Sequence, residues 1–454
     1  MMFLRRLSRR HGGHGGHGKF KFLIPPWAPC SPCLRVRSSF FIFHFSFFFF
    51  LLSSCPSEAA GPGAVADPAA LNYFKDNKLA AGWNLGNSLD SHSNGVGGET
   101  GWGNPAVNQA IMNGVKKAGF NLIRIPVTWM GHIGAAPDYT IAPARLARVA
   151  EAVDMAHNAG LVVIINLHHD GASESAEKEA GWLSVKKSSA SAADRAAITA
   201  QFARVWAQIA DHFKNYDEWL MFESMNEIHD GGWAWSGAFR SNPQAQFAIL
   251  NEWNQIFSDT VRAAGGKNDK RFLVIPSYCT VPEATYPGGK LNGQSITIGD
   301  LFELPDDSVP GRQVVTFHYY RPDNVGLGST TSARFDWGNA SDKNAVDSAF
   351  KPFKAAYIDR NIPVIIGECG ATRQVYTDTA KLAQARASRL AYLSHVFGTA
   401  KKYGLVPVYW DNGSFGNRTS ETFGLFDRAT GQPYNFPATT EFKECIEAMI
   451  NAVR

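Results

Sequence analysis

A series of ionisable and hydrogen-bonding side chains recurs at the C-terminal ends of short apolar runs: Asn84 and Asn87, Arg124, His168 and His169, Asn226 and Glu227, Ser277 and Tyr278, His318 and Tyr320, Glu368, and Trp410 with Asp411. One such residue usually has a structural explanation, whereas a whole series converging on one face marks a site. Two members are carboxylic acids, Glu227 and Glu368. Cleavage of a glycosidic bond needs one acid to protonate the leaving oxygen and one carboxylate to attack the anomeric carbon or activate water. Arg124 would hold a neighbouring carboxylate ionised, while a desolvated carboxyl without a cation would keep its proton near neutral pH. Metal-assisted hydrolysis is the competing chemistry, because His168-His169-Asp170 looks like ligand material. Successive strand residues point to opposite faces, so at most one histidine of the pair faces the site. No His-Glu-x-x-His segment accompanies them, and neither a metal nor a cofactor is expected.

Those side chains need a scaffold that points strand ends to one place. From about Leu71, apolar β-branched runs alternate with amphipathic stretches, the pattern of repeated βα units. The strand candidates are Gly82–Leu85, Leu122–Ile125, Leu161–Leu167, Leu220–Glu223, Phe272–Ile275, Val314–His318, Val364–Gly367 and Leu405–Trp410. Helical periodicity predicts helices over Val107–Ala118, Pro143–Ala159, Ala192–Phe213, Gln244–Ala264, Ala345–Asp359, Thr379–Tyr403 and Phe442–Val453. Between Thr280 and Pro310 the segment is rich in Pro and Gly and its helix signal is poor. The alternation predicts an α/β fold, a single (β/α)8 barrel with long βα loops, over residues 66–454. A doubly wound open sheet is the runner-up, but no Gly-rich phosphate loop follows the first strand.

Of the 454 residues, 45% are hydrophobic and 19% charged, which excludes a disordered chain. The formal net charge of +4 belongs to the start of the chain. Residues 1–55 hold eight basic residues and no acid, so the remainder carries a net −4 and nothing in it points to nucleic acid. After Arg37 comes the apolar run Phe40–Leu52, eight of whose thirteen residues are Phe, followed by small residues. Charged, apolar, then small is the order of an export signal, and thirteen residues are too few to span a bilayer. Residues 1–65 are therefore expected to be a basic, Phe-rich leader, either the signal segment of a secreted protein or a disordered, low-complexity stretch from a mis-called start. Leu52-Ser53-Ser54-Cys55 also resembles a lipoprotein box that would anchor the chain through Cys55. The spaced His11, His14 and His17 and the Cys30/Cys33 pair in this leader carry no expected chemistry.

The segments Gly82-Trp83-Asn84-Leu85-Gly86-Asn87, Ile123-Arg124-Ile125-Pro126-Val127-Thr128-Trp129, Asn166-Leu167-His168-His169-Asp170, Phe222-Glu223-Ser224-Met225-Asn226-Glu227, Phe317-His318-Tyr319-Tyr320, Gly367-Glu368-Cys369-Gly370 and Tyr409-Trp410-Asp411-Asn412-Gly413 together resemble the motif series of glycoside hydrolase family 5. They run in the family's order from about residue 70 to the end. The Trp102-Gly103-Asn104-Pro105 segment is similar to the subfamily of endo-β-1,4-glucanases, lichenases and xyloglucanases. The resemblance implies an endo-acting, retaining hydrolase of a β-glucan chain, with Glu227 as acid/base and Glu368 as nucleophile. Asn226 would bind the sugar 2-hydroxyl, Arg124 and Tyr320 would orient the nucleophile, and His168 and His318 would line the cleavage point. Trp410 would be the platform beneath the sugar, and Asn84, Trp102 and Trp235 further substrate contacts. Trp182, Trp233 and Trp337, in expected loops, are candidates to extend the cleft. Two positions depart from the family pattern, Ile228 after the acid/base and Cys369 after the nucleophile; they bear on loop geometry beside the site, and Cys369 is a minor candidate for oxidation. A β-mannanase or other β-glycanase on the same scaffold, and a non-catalytic polysaccharide-binding protein, are the alternatives. The protein is expected to be a monomer whose partner is polysaccharide.

Overall fold

The computed structural model describes residues 65–171, 181–328, 333–415, 422–435 and 439–454. The leader and its candidate features, Cys55 included, lie outside them, as does the side chain of Trp235. Eight parallel strands close into a barrel: β1 (Gly82–Leu85), β2 (Leu122–Ile125), β3 (Val162–Asn166), β4 (Leu220–Glu223), β5 (Leu273–Pro276), β6 (Gln313–Tyr319), β7 (Val364–Cys369) and β8 (Val406–Asp411). Each strand pairs with its neighbours in chain order, and β1 closes the ring against β8 in the register Asn84 to Trp410.

Helices follow most strands: α1 (Gln109–Ala118), α2 (Pro143–Asn158), α3 (Ala192–His212), α4 (Pro243–Ala263), α5 (Ala340–Ala356), α6 (Thr379–Tyr403) and α7 (Glu441–Val453). Local chemistry sets their ends. Pro occupies the first turn of α2 and α4, and Gly119 and Gly404 end α1 and α6 in the left-handed region. The sequence places the start of α5 at Ala345. It begins earlier because Asn339 and Asp342 form a reciprocal capping box that nucleates the first turn. The weak segment between β5 and β6 carries short 3-10 turns, Pro282–Ala284 and Ile298–Leu301, in place of a helix.

The two faces of each strand build two cores. Outward residues such as Trp83, Ile123, Phe222 and Phe317 pack against the helices in one large cluster. Inward residues Leu122, Ile164, Met221, Val274, Val314, Ile365, Val406 and Val408 fill the floor of the barrel. Above that apolar floor the inward positions turn polar, and the site is built there. Among the described residues no helix is long and apolar enough to cross a membrane.

Candidate active site

The site is organised by one buried cation. Arg124, inward on β2 and fully buried, spends its guanidinium on four acceptors: Glu223 Oε2 at 2.7 Å, Glu368 Oε1 at 2.8 Å, Asn226 Oδ1 at 2.7 Å and Asn84 Oδ1 at 3.1 Å. Such a charge persists in the barrel only because carboxylates surround it, and they hold its pKa above the ordinary value against the opposing effect of burial. Tyr320 donates its hydroxyl to the second oxygen of Glu368 at 2.9 Å. Burial raises the Glu368 carboxyl above its usual range, His318 and Arg124 pull it down, Glu227 adds to the rise, and the Tyr320 hydrogen bond lowers it again.

Glu368 reaches this place through an irregularity in β7. Against β6 the register runs Phe317 to Ile366 and then His318 to Glu368, so Gly367 is an extra residue. Ile365 faces the barrel floor, and strict alternation would send Glu368 outward among the helices. The bulge resets the count, so that Glu368 faces inward and Cys369 packs outward. The Gly367 carbonyl accepts from the Asn84 amide at 2.9 Å. Cys369 is fully buried and burial pushes its thiol up, which argues against the oxidation raised for it from sequence. Cys279, Cys369 and Cys445 are all unpaired and buried.

Glu227 stands on the loop after β4. His318 Nδ1 is 2.5 Å from Glu227 Oε1 and 3.7 Å from Glu368 Oε2. Burial holds His318 down at about 4, so the ring is neutral near pH 7. One donor atom from each of Glu227, His318 and Glu368 lies within 4.8 Å of the others. One oxygen of each carboxyl is thus within 4.8 Å of an oxygen of the other, closer than the roughly 6.5–9.5 Å between the carboxyl groups of inverting glycosidases. Asp90, His168 and His169 form a second such group. In both, the acids are already engaged, Asp90 by the amides of Asn87 and Ser88 and Glu368 by a guanidinium that would repel a metal cation.

The cellulase model of glycosyl hydrolase family 5 matches residues 88–416. The chain belongs to glycosyl hydrolase family 5. Endoglucanase A of Paenibacillus barcinonensis is 36% identical to this family 5 chain over 377 residues, covering 78% of the chain and 86% of the relative. The xyloglucan-specific endo-β-1,4-glucanase BoGH5A of Bacteroides ovatus is 33% identical, covering 79% and 66%. Among solved structures, a broad-specificity endoglucanase from Bacteroides salanitronis superposes with a TM-score of 0.74 at 38% identity, covering 86% of this chain and 97% of that one.

The remaining positions of this family 5 barrel divide by what they touch. His168 Nε2 lies 3.9 Å from Glu368 Oε1, and its ring is parallel to Trp410 at 5.8 Å. The Val127 amide donates to Asn166 Oδ1, so the Asn166 amide nitrogen faces Glu223 and His168 Nδ1. Trp410 sits directly over Gly86, where a Cβ would come within 2.8 Å of the indole. Trp102 is exposed at the mouth beside His92 and His169. Asn84, expected as a substrate contact, is fully buried with both ends of its amide engaged, so it braces Arg124 and the β7 bulge from below.

Several strand-end residues do not converge on the site. Asp411 faces outward and accepts from the Trp83 indole, the Leu425 amide and Arg428. Ser277 bonds Thr285, and Tyr278 stacks on Phe239. Trp337 is buried against Tyr392 of α6 and cannot extend a cleft. Trp182 donates to Asp170. Trp233 is the exposed one of these loop tryptophans, stacked on His229 with its backbone at φ 54°. Sequence reasoning missed Glu223 and Asn166. Counting by twos along β3 from His168 would have found Asn166, which shares its face.

Proposed function

We propose that this chain is an endo-acting, retaining hydrolase of β-1,4-linked glucan in which Glu368 is the nucleophile and Glu227 the acid/base. The observation that carries this reading is the unequal environment of two carboxyls a few ångströms apart. Glu368 is fixed by a guanidinium and a phenol hydroxyl, both of which favour its anion. Glu227 faces a neutral imidazole, and its side chain is 20% exposed against 7% for Glu368. With Glu368 ionised, the nearby negative charge favours the proton on Glu227.

In the first step Glu368 attacks the anomeric carbon while Glu227 gives its proton to the leaving oxygen. In the second, Glu227 takes a proton from water, which attacks the same carbon and releases the sugar with its β configuration. Asn226, whose oxygen is held by Arg124, turns its amide nitrogen to the sugar 2-hydroxyl, a contact that strengthens as charge develops. Trp410 offers a flat face to the C–H side of the ring, and Trp102 extends the platform along the chain. His168, beside Glu368, lines the cleavage point.

Family membership and the complete set of polar groups favour an enzyme over a binding protein. The names of the relatives favour β-glucan over mannan as substrate. Residues 1–65 are proposed as an export leader for a monomeric enzyme that works outside the cell, where its polymer lies. The decisive test is proton NMR of fresh product from a soluble β-glucan, which should show the β anomer first. An initial α anomer would overturn the two-step reading. A reducing-sugar panel of carboxymethyl cellulose, barley glucan, xyloglucan, xylan and mannan should show cleavage of the glucans, and preference for mannan would overturn the substrate assignment.

A further inference from the structure

Two buried polar atoms meet at the β7 bulge, and the mechanism above uses neither. Thr316 and His318 lie two residues apart on β6 and share its inward face. Thr316 Oγ1 and His318 Nε2 are both buried without a hydrogen-bond partner. Both border the position a Cβ of Gly367 would occupy, Thr316 Oγ1 at 2.6 Å and His318 Nε2 at 3.1 Å from it. Glycine there leaves a small polar gap between them. A turn of the Thr316 side chain would bring its hydroxyl towards Nε2 across it.

What happens at Nε2 decides what happens at Nδ1, because a neutral imidazole carries a single proton. With the proton on Nε2, Nδ1 is an acceptor facing Glu227 Oε1 at 2.5 Å, and the hydrogen in that contact is the acid's own. The leaving oxygen then competes with the histidine for it. With the proton on Nδ1, the imidazole donates to Glu227, and the acid proton stays on the other carboxyl oxygen, free for transfer. Thr316 favours the second arrangement. Its hydroxyl hydrogen has no other partner and is satisfied by donating towards Nε2, whereas accepting from Nε2 would leave a buried hydroxyl hydrogen unpaired.

We infer that Thr316 is a positioning residue for acid catalysis, holding His318 through its Nε2 edge in the form that donates from Nδ1 to Glu227. Gly367 has a dual part, turning Glu368 inward and keeping the gap open. The inference rests on Glu227 being the acid/base, and the test separates the two claims. Thr316→Val keeps the shape and removes the hydroxyl, and Thr316→Ser restores it. Each is assayed as kcat/KM, which reports the first step, on barley β-glucan and on 2,4-dinitrophenyl β-cellobioside, whose leaving group needs no proton. Thr316→Val should lose about tenfold on the glucan, part of the roughly 10²–10⁴-fold an acid supplies, and less than about twofold on the aryl glycoside. Thr316→Ser should stay near wild type on both.

An equal loss on the two substrates, no loss on the glucan, or a Ser variant as impaired as Val would each overturn the inference. A Thr316→Val protein that melts early yet keeps the wild-type ratio between substrates counts against it as well. Glu227→Gln is run beside them. If it too lacks the leaving-group dependence, the acid/base assignment has failed. If it shows the dependence and Thr316→Val does not, only the role of Thr316 has.

Discussion

The two sides of the catalytic cleft are built differently. Glu368 is a strand residue inside a closed network: Arg124, Glu223, Asn84 and Asn226 lie within one set of hydrogen bonds, and Tyr320 closes the remaining side. Glu227 stands on a loop, is more exposed and lies against His318. The loop continues through Asp230, braced by Ser236 and Gln246, to the exposed Trp233. The difference fits the work proposed for each group. A nucleophile must hold one geometry and one charge, which a rigid desolvated network supplies. An acid/base must exchange its proton with a leaving group and then with water, so it needs access.

The largest effect should come from the closed side. Glu368→Gln removes the attacking oxygen and should lower kcat/KM on soluble β-glucan by at least about 10⁴-fold; near wild-type turnover would end the nucleophile assignment. Glu227→Gln should cost about 10²–10⁴-fold on the same polymer and far less on an aryl glycoside with a good leaving group. That contrast between substrates is the signature of the open side.

Arg124→Met tests the network itself. It leaves Glu223 and Glu368 in the barrel without their cation, and breaking a buried pair in this way costs about 3–5 kcal/mol. Denaturant unfolding should show that loss, and an unchanged midpoint would mean that the guanidinium does not hold the closed side together. Tyr320→Phe is the gentlest change, with an expected loss of about tenfold. Activity rises as Glu368 ionises, and the Tyr320 hydroxyl lowers the pKa of that carboxyl. Its removal should therefore move the acid limb of the pH profile to higher pH. His318, held at about 4, stays neutral above that value and should not account for the shift. An acid limb that stays in place would put the source of the Glu368 charge elsewhere.

Much of this was legible before the structure. Strand periodicity located the eight barrel runs, and the strand ends pointed to Glu227, Glu368, Arg124, His168, His318, Tyr320 and Trp410, which lie together because a barrel gathers the C-terminal ends of its strands on one face. Proximity to a strand end was too coarse for the rest. Asp411, Ser277 and Tyr278 satisfy the same rule yet serve packing, because their side chains leave the barrel. Trp337 looked like a loop tryptophan and is core, because α6 folds over it.

What the sequence by itself determined is the chemistry: which groups exist, in what order, and on which strands. What only the tertiary structure decided is which way they face. A period of two reads orientation correctly until a strand gains an unpaired residue, and the extra residue at Gly367 is visible only in the register of β7 against β6. That irregularity turns Glu368 towards Arg124 and opens the gap at Thr316 and His318. Glu223 escaped notice for a related reason. Its charge has meaning only beside the guanidinium 2.7 Å away, and that partner is 99 residues distant in the chain.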